Sequence, residues 1–192
     1  VTQSVVEDNR SHGISVFDGG LYVADTTVRA SGSDGVHVYG ATSTATVVDS
    51  VVADNGDDGI EATNWVTVTG STVISNAAGG IELRPTSGIV TPLISGCVIT
   101  GNVADAVTVN YSGGAGLPVL SGNTISGNGL DHAVSLRGSL GVSTTLTANY
   151  PLGGAYVMRD LNVADGVRLE LDAGVVVKFV ERGWLGVYGL LD

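Results

Sequence analysis

Six seven-residue segments of this chain align without a gap: "QSVVEDN", "DTTVRAS", "DSVVADN", "GSTVISN", "GCVITGN" and "GNTISGN". They end at Asn9, Ser31, Asn55, Asn76, Asn102 and Asn128, so the spacing runs 22, 24, 21, 26 and 26 residues. A period of this length marks a small structural unit that cannot bury its apolar side alone and must stack on its neighbours. Each segment is followed by a second phrase, "GISV", "GVHV", "GIEA", "GIEL", "AVTV" or "AVSL". Each is preceded by a third, centred on Val1, Val23, Val47, Val68, Ile94 and Leu120, always eight positions before the Asn column.

The three phrases alternate apolar and polar residues and are separated by Gly, Asn, Asp and Ser, which is the pattern of short strands joined by turns. Val6, Val28, Val52, Val73, Ile99 and Ile125 form one inward column. Ile14/Val16, Val36/Val38, Ile60/Ala62, Ile81/Leu83, Val107/Val109 and Val134/Leu136 form a second, paired one. Ser15, His37, Glu61, Glu82, Thr108 and Ser135 lie between the members of those pairs and point outward. Three strands per coil, stacked about 4.8 Å apart, make a parallel β-solenoid with one continuous core. With aromatics at only 5% and many valines and threonines, thin regular layers suit this chain.

The units resemble the right-handed parallel β-helix repeats of the pectate-lyase-like superfamily. The pattern "N-x-I-x-x-N…G-I-x-L" of those repeats reads here as "NTISGN…AVSL", Asn123 to Leu136, and as "STVISN…GIEL". The resemblance covers roughly residues 1–140 and implies an all-β, single-stranded right-handed parallel β-helix. About six coils of 21–26 residues, with an Asn ladder, occupy 1–144, and a tighter section, 145–192, continues the same solenoid. In that section Val163, Val167, Leu169, Leu171, Val175, Val177, Phe179, Leu185 and Val187 are expected to face inward. The run from Tyr150 to the end resembles a segment that opens β-helical modules in large bacterial surface and secreted proteins.

Val1 already sits on an apolar column, and Leu190 and Leu191 end on an apolar alternation. The chain opens without an initiator Met or a secretory leader, which reads as a mature product or a piece of something longer. No polar capping helix is legible at either end, so open rungs would template pairing with another chain. Val1, Val6, Trp184, Val187, Leu190 and Leu191 are the expected assembly interface, with copies of the same chain or further solenoid as partners. The expected role is a rigid rod, filament subunit or adhesin stalk, extracellular or at a bacterial cell surface, possessing no catalytic residues.

A formal net charge of −11 argues against nucleic acid as a partner, and no apolar run is long enough to insert in a membrane. A single cysteine, Cys97, excludes an internal disulfide; it shares a column of small residues with Ser4, Thr26, Ser50, Ser71 and Asn123 and reads as an inert thiol.

The stretch "DNGDDGIEA", Asp54 to Ala62, carries the densest chemistry. Asn55 belongs to the ladder, a row of Asn expected to hold left-handed backbone and bond neighbouring coils. The column before each "GI"-type strand reads His12, Asp34, Asp58, Gly79, Asp105 and His132, where a turn aspartate is expected to bond the following backbone N–H. Asp57, Glu61 and Glu82 are not explained by the repeat. Glu61 and Glu82 are expected to leave the sheet about 5 Å apart, which demands a cation between them. Arg84 on the same face is one candidate. A Ca2+ ion held by Asp57, Asp58, Glu61 and Glu82 is another. A solvated acidic face and a catalytic or sugar-binding site using Glu61, Glu82 and Asp58 stand beside these readings.

Relatives of this fold cleave acidic polysaccharides, with a "GHG" and an "RIK" motif in the polygalacturonase type. Here "SHG" occurs at Ser11–Gly13 and "DDG" at Asp57–Gly59, "RIK" is absent and the order is reversed. The eight basic residues, Arg10, Arg29, Arg84, Arg137, Arg159, Arg168, Lys178 and Arg182, are scattered along the chain, so a negative groove would repel an acidic glycan. For a neutral glycan, only Trp65 and Tyr39 lie near as stacking platforms. His12, His37 and His132 show no metal-ligand spacing and read as surface or turn residues.

Overall fold

The computed structural model describes residues 1–86, 91–113, 116–129, 134–148 and 155–192. Among the described residues there are strands, turns and bends and no helix. The strands form parallel sheets, and each early turn of the chain adds one strand to each of three walls. The first sheet takes Val5–Glu7, Thr27–Arg29, Val51–Ala53, Thr72–Ile74, Val98–Thr100 and Thr124–Ser126. The second takes Ile14–Phe17, Val36–Tyr39, Ile60–Ala62, Ile81–Leu83, Val107–Gly113, Val134–Leu140, Tyr156–Val163 and Val177–Val187. The third takes Gly20–Ala24, Thr44–Val48, Trp65–Thr69, Leu93–Ser95 and Val119–Ser121. Towards the C-terminus, Thr144–Leu146, Arg168–Leu171 and Leu190–Leu191 form a fourth sheet, each strand following a long strand of the second.

The register follows the apolar columns. Val6, Val28, Val52, Val73, Ile99 and Ile125 stack in the first sheet. Ile14, Val36, Ile60, Ile81, Val107 and Val134 stack in the second and continue through Tyr156 and Val177. Val23, Val47, Val68, Ile94 and Leu120 stack in the third. These side chains close one apolar core along the axis, fully buried in the middle rungs. Val163, Val167 and Leu169 are buried as the pattern demands, and Leu171, Val175, Val177 and Leu185 pack partly buried against the same core. Phe179 and Val187 stand in core columns too, but on the last rung, and are exposed.

Two corners of the rung are built alike, each from a left-handed residue followed by a side chain that bonds the next rung. Before the first sheet the left-handed residue is Gln3, Asp25, Asp49, Gly70, Gly96 or Gly122. After it, the residue is Asp8, Ala30, Asp54, Ser75, Gly101 or Gly127. The left-handed backbone therefore falls one residue ahead of the Asn column, not on the Asn itself. That leaves each Asn outside the left-handed region, with the amides of Asn55, Asn76 and Asn102 reaching the next rung.

The ladder then closes rung to rung. The Asn55 N–H and Nδ2 both donate to Asn76 Oδ1, at 3.1 and 2.9 Å. Asn76 does the same to Asn102 at 3.0 and 2.9 Å, and Asn102 to Asn128 at 3.1 and 2.9 Å. The Nδ2 groups of Asn76, Asn102 and Asn128 also reach strand carbonyls, those of Val52, Val73 and Ile99. Ser31 interrupts the row, leaving the Asn9 Nδ2 and its own Oγ buried without partners. The Cys97 column is a second, shorter ladder. The N–H of Thr26 donates to Ser50 Oγ, that of Ser50 to Ser71 Oγ and that of Cys97 to Asn123 Oδ1, at 3.1, 3.2 and 2.9 Å. Burial pushes the Cys97 thiol pKa up, as expected of an inert sulfur.

Candidate functional site

Two polar columns, three residues apart, run side by side up the second sheet. One lies at the turn before each strand: His12, Asp34, Asp58, Gly79 and Asp105. The other lies on the outward face: Ser15, His37, Glu61, Glu82, Thr108 and Ser135. His132, the sixth member of the first column, lies outside the described residues. In-register parallel pairing places like positions one rung, about 4.8 Å, apart. Five carboxylates therefore line one strip: Asp34, Asp58, Asp105, Glu61 and Glu82.

The strip is not a solvated acidic face, as its carboxylates are buried; even Glu61 and Glu82 are only 9% and 8% exposed. Buried charge needs hydrogen bonds and counter-charge. The turn aspartates find theirs across rungs rather than within their own turn. Asp34 Oδ1 accepts the Asp58 N–H at 3.1 Å, and Asp58 Oδ1 accepts the Gly79 N–H at 2.6 Å. Asp105 Oδ2 accepts from the Arg159 guanidinium at 2.8 and 3.2 Å. Asp34 Oδ2 lies 2.7 Å from His37 Nδ1 and 3.1 Å from His12 Nδ1.

Between Glu61 and Glu82 stands Arg84, one of the two cations the sequence allowed. Its Nη2 is 3.1 Å from Glu61 Oε2 and its Nε 2.6 Å from Glu82 Oε1. Arg137, two rungs on, reaches the same Glu82 oxygen at 2.6 Å. Arg159 likewise passes over a rung to reach Asp105. Arginines scattered along the sequence thus converge in space. A groove of about 240 Å³ opens over the strip, lined by Asp57, Asp58, Glu82 and Asp105 with Arg84, Arg137 and Arg159. Its charges nearly balance, unlike the negative groove expected. Asp57 is exposed on the groove wall, whereas Asp34, which the sequence reading left out, brings an oxygen within 4.8 Å of Asp58 and Glu61.

Burial splits the ionisation of these groups. It drives Asp58 up to about 7, helped by the nearby charges of Glu82, Asp57 and Asp34 against the Gly79 N–H. Burial also lifts Glu61, with Arg84 opposing. For Glu82 burial pushes up, but the hydrogen bonds and charges of Arg84 and Arg137 outweigh it and hold the carboxyl below its usual range. An acid whose native pKa lies above its ordinary value takes up protons on folding, so its contribution falls as pH rises. Between about pH 4 and pH 7 Asp58 should therefore weaken the native state. Asp58→Asn keeps an acceptor for Gly79 and should remove that slope. In melts across this range, the difference between the chain and the variant should change by roughly 4 kcal/mol, most of it by pH 7, and stay level above that.

Beside the strip, Phe17 and Tyr39 pack with ring centroids 4.9 Å apart, and Tyr39 meets His37 edge-on. Phe17 joins Tyr39 as an exposed aromatic that the sequence reading passed over, because it lies one rung below. Trp65 is exposed, its Nε1 donating to Thr67.

A family model described as a right-handed β-helix region matches residues 1–150. The chain belongs to the right-handed β-helix family. This fixes the hand of the solenoid that the parallel sheets describe, and it agrees with the pectate-lyase-like pattern in the repeats. No curated protein and no solved structure matches the chain. The β-helix hosts many unrelated functions, so activity must be argued from the residues.

Proposed function

We propose that this β-helix is a rigid extracellular rod, part of a bacterial surface or secreted assembly, that extends by parallel pairing of its end rungs with copies of itself or with further solenoid of the same chain. The observation that carries it is the state of the last rung. Met158, Val163 and Leu169 are fully buried, whereas their register partners Phe179, Val187 and Leu191 are 53%, 40% and 42% exposed. At the other end Val1 is exposed, and Val6, Ile14 and Val16 of the first rung are only half-buried while their register partners Val28, Val36 and Val38 are buried. Uncovered core columns bordered by unpaired strand edges template a further parallel rung. The ladders and the arginines that pass over a rung stiffen the shaft between these ends. The acidic surface and the likeness of the C-terminal segment to bacterial surface modules support the location. Electron microscopy of the purified chain should show filaments, and Leu191→Lys or Phe179→Lys should leave single rods. Single rods from the unaltered chain would overturn self-assembly.

A second reading rests on the groove. Asp58, with its pKa near 7, and ionised Glu82 line it together. Environments that push two carboxyls apart are what a general acid and its ionised partner require in glycoside cleavage. Turnover in a screen of neutral and acidic glycans, abolished by Asp58→Asn, would favour this reading over the rod.

A further inference from the structure

We propose that His12, Asp34 and His37 form a binding site for a divalent transition-metal ion of the zinc class. The two histidines are 25 residues apart and come from successive rungs, yet both present Nδ1 to one oxygen, Asp34 Oδ2. One donor atom from each of the three residues lies within 4.8 Å of the others. A tetrahedral zinc ion with bonds of about 2.0–2.1 Å holds its donors about 3.4 Å apart. The present separations of 2.7 and 3.1 Å to Oδ2 need to open by about 0.7 and 0.3 Å, within reach of small side-chain rotations.

Three features point to an ion rather than a closed hydrogen-bond cluster. His12 Nδ1 is buried and makes no hydrogen bond, although it lies 3.1 Å from the carboxylate oxygen. A metal between the donors supplies the partner that this nitrogen lacks. Asp34 is held from behind, since its Oδ1 already accepts the Asp58 N–H, and this leaves Oδ2 to face the imidazoles. The side chains of His12 and His37 are 27% and 19% exposed, so an ion can enter from solvent while the carboxylate stays 3% exposed.

The donor set chooses the metal. Two imidazole nitrogens and one carboxylate oxygen suit zinc and its neighbours, with a fourth position open to water. Calcium needs six to eight oxygens, which this corner does not offer. The inference does not rest on the rod reading: His12 lies on the first rung and Asp34 and His37 on the second, and their side chains stand on the flank of the shaft, outside the core columns that a further rung would cover.

Metal-stripped chain is titrated with Zn2+ and, separately, Ca2+ by calorimetry, with Co2+ as an optical probe. One Zn2+ should bind per chain, with Co2+ giving the visible bands of a low-coordinate N/O site and Ca2+ no saturable heat. Asp34→Asn should weaken Zn2+ at least tenfold. His12→Ala with His37→Ala should weaken it at least a hundredfold, and His132→Ala should leave it unchanged. His37→Gln repeats the test in a near-isosteric background, and melts of the stripped variants separate folding from binding. Absence of saturable Zn2+ binding by the intact chain, or tight binding that survives the double histidine change, would overturn the assignment.

Discussion

Asn76→Ala should cost about 3–5 kcal/mol and lower the melting temperature by about 10 °C or more. Asn76 Oδ1 is the acceptor for two buried donors on the rung below, the Asn55 N–H and Nδ2. Truncation orphans both in a place no water reaches, and each unpaired buried donor costs about 1–3 kcal/mol. The Asn76 amide also gives up its own bonds to Asn102 Oδ1 and the Val52 carbonyl. Asn102 Oδ1 keeps one donor, the Asn76 N–H, so the damage points down the solenoid more than up. Ser31→Ala is the internal contrast. It changes the same column, but Ser31 Oγ makes no bond, so stability should move by less than about 0.5 kcal/mol. Circular-dichroism melts of the two variants give the comparison directly. Equal, small effects would mean that the ladder follows the fold without holding it.

The fold was legible because its signal is translational. Gapless heptamers with period-2 alternation fix which residues stack, and the inward apolar columns read from the sequence recur in the strand register of the described residues. The site was legible only in part. Arg84 follows Glu82 by two on the same face, so their contact could be read along one strand. The contact of Arg137 with Glu82 spans two rungs and needs the register to be seen. Arg159 is harder still. It sits where the register slips between Met158 and Asp160, an extra residue that breaks the alternation and re-aims its side chain at Asp105. The histidines were missed for another reason. Along the chain they are isolated, but His12 belongs to the Asp34 column and His37 to the Glu61 column, three positions over. Combining columns with rung order would have brought them together. Burial of the acidic strip was not legible at all, because outward-facing residues become buried only through the long side chains laid over them.

Arg84→Ala should destabilise the protein by about 2–4 kcal/mol at neutral pH, because it removes the guanidinium shared by two buried carboxylates. Glu82 retains Arg137, whereas Glu61 loses its nearest guanidinium. The pH dependence identifies the cause. Without Arg84 the native pKa of Glu61, already raised by burial, rises further above its unfolded value. The penalty is then full above that pKa and shrinks as pH falls and the carboxyl takes its proton. The gap between chain and variant should therefore narrow from pH 8 towards pH 5, whereas loss of mere packing would leave it constant. Glu61→Gln in the Arg84→Ala background should recover much of the loss, and the double-mutant cycle should show a coupling of about 1–3 kcal/mol. Denaturant melts at several pH values carry the whole test. The outcome also weighs the two functional readings against each other. A strong, pH-dependent coupling makes the strip part of the shaft, as a rod requires. A negligible one leaves three arginines and four carboxylates around a groove with no structural reason to be there, and the balance shifts to chemistry on a bound glycan.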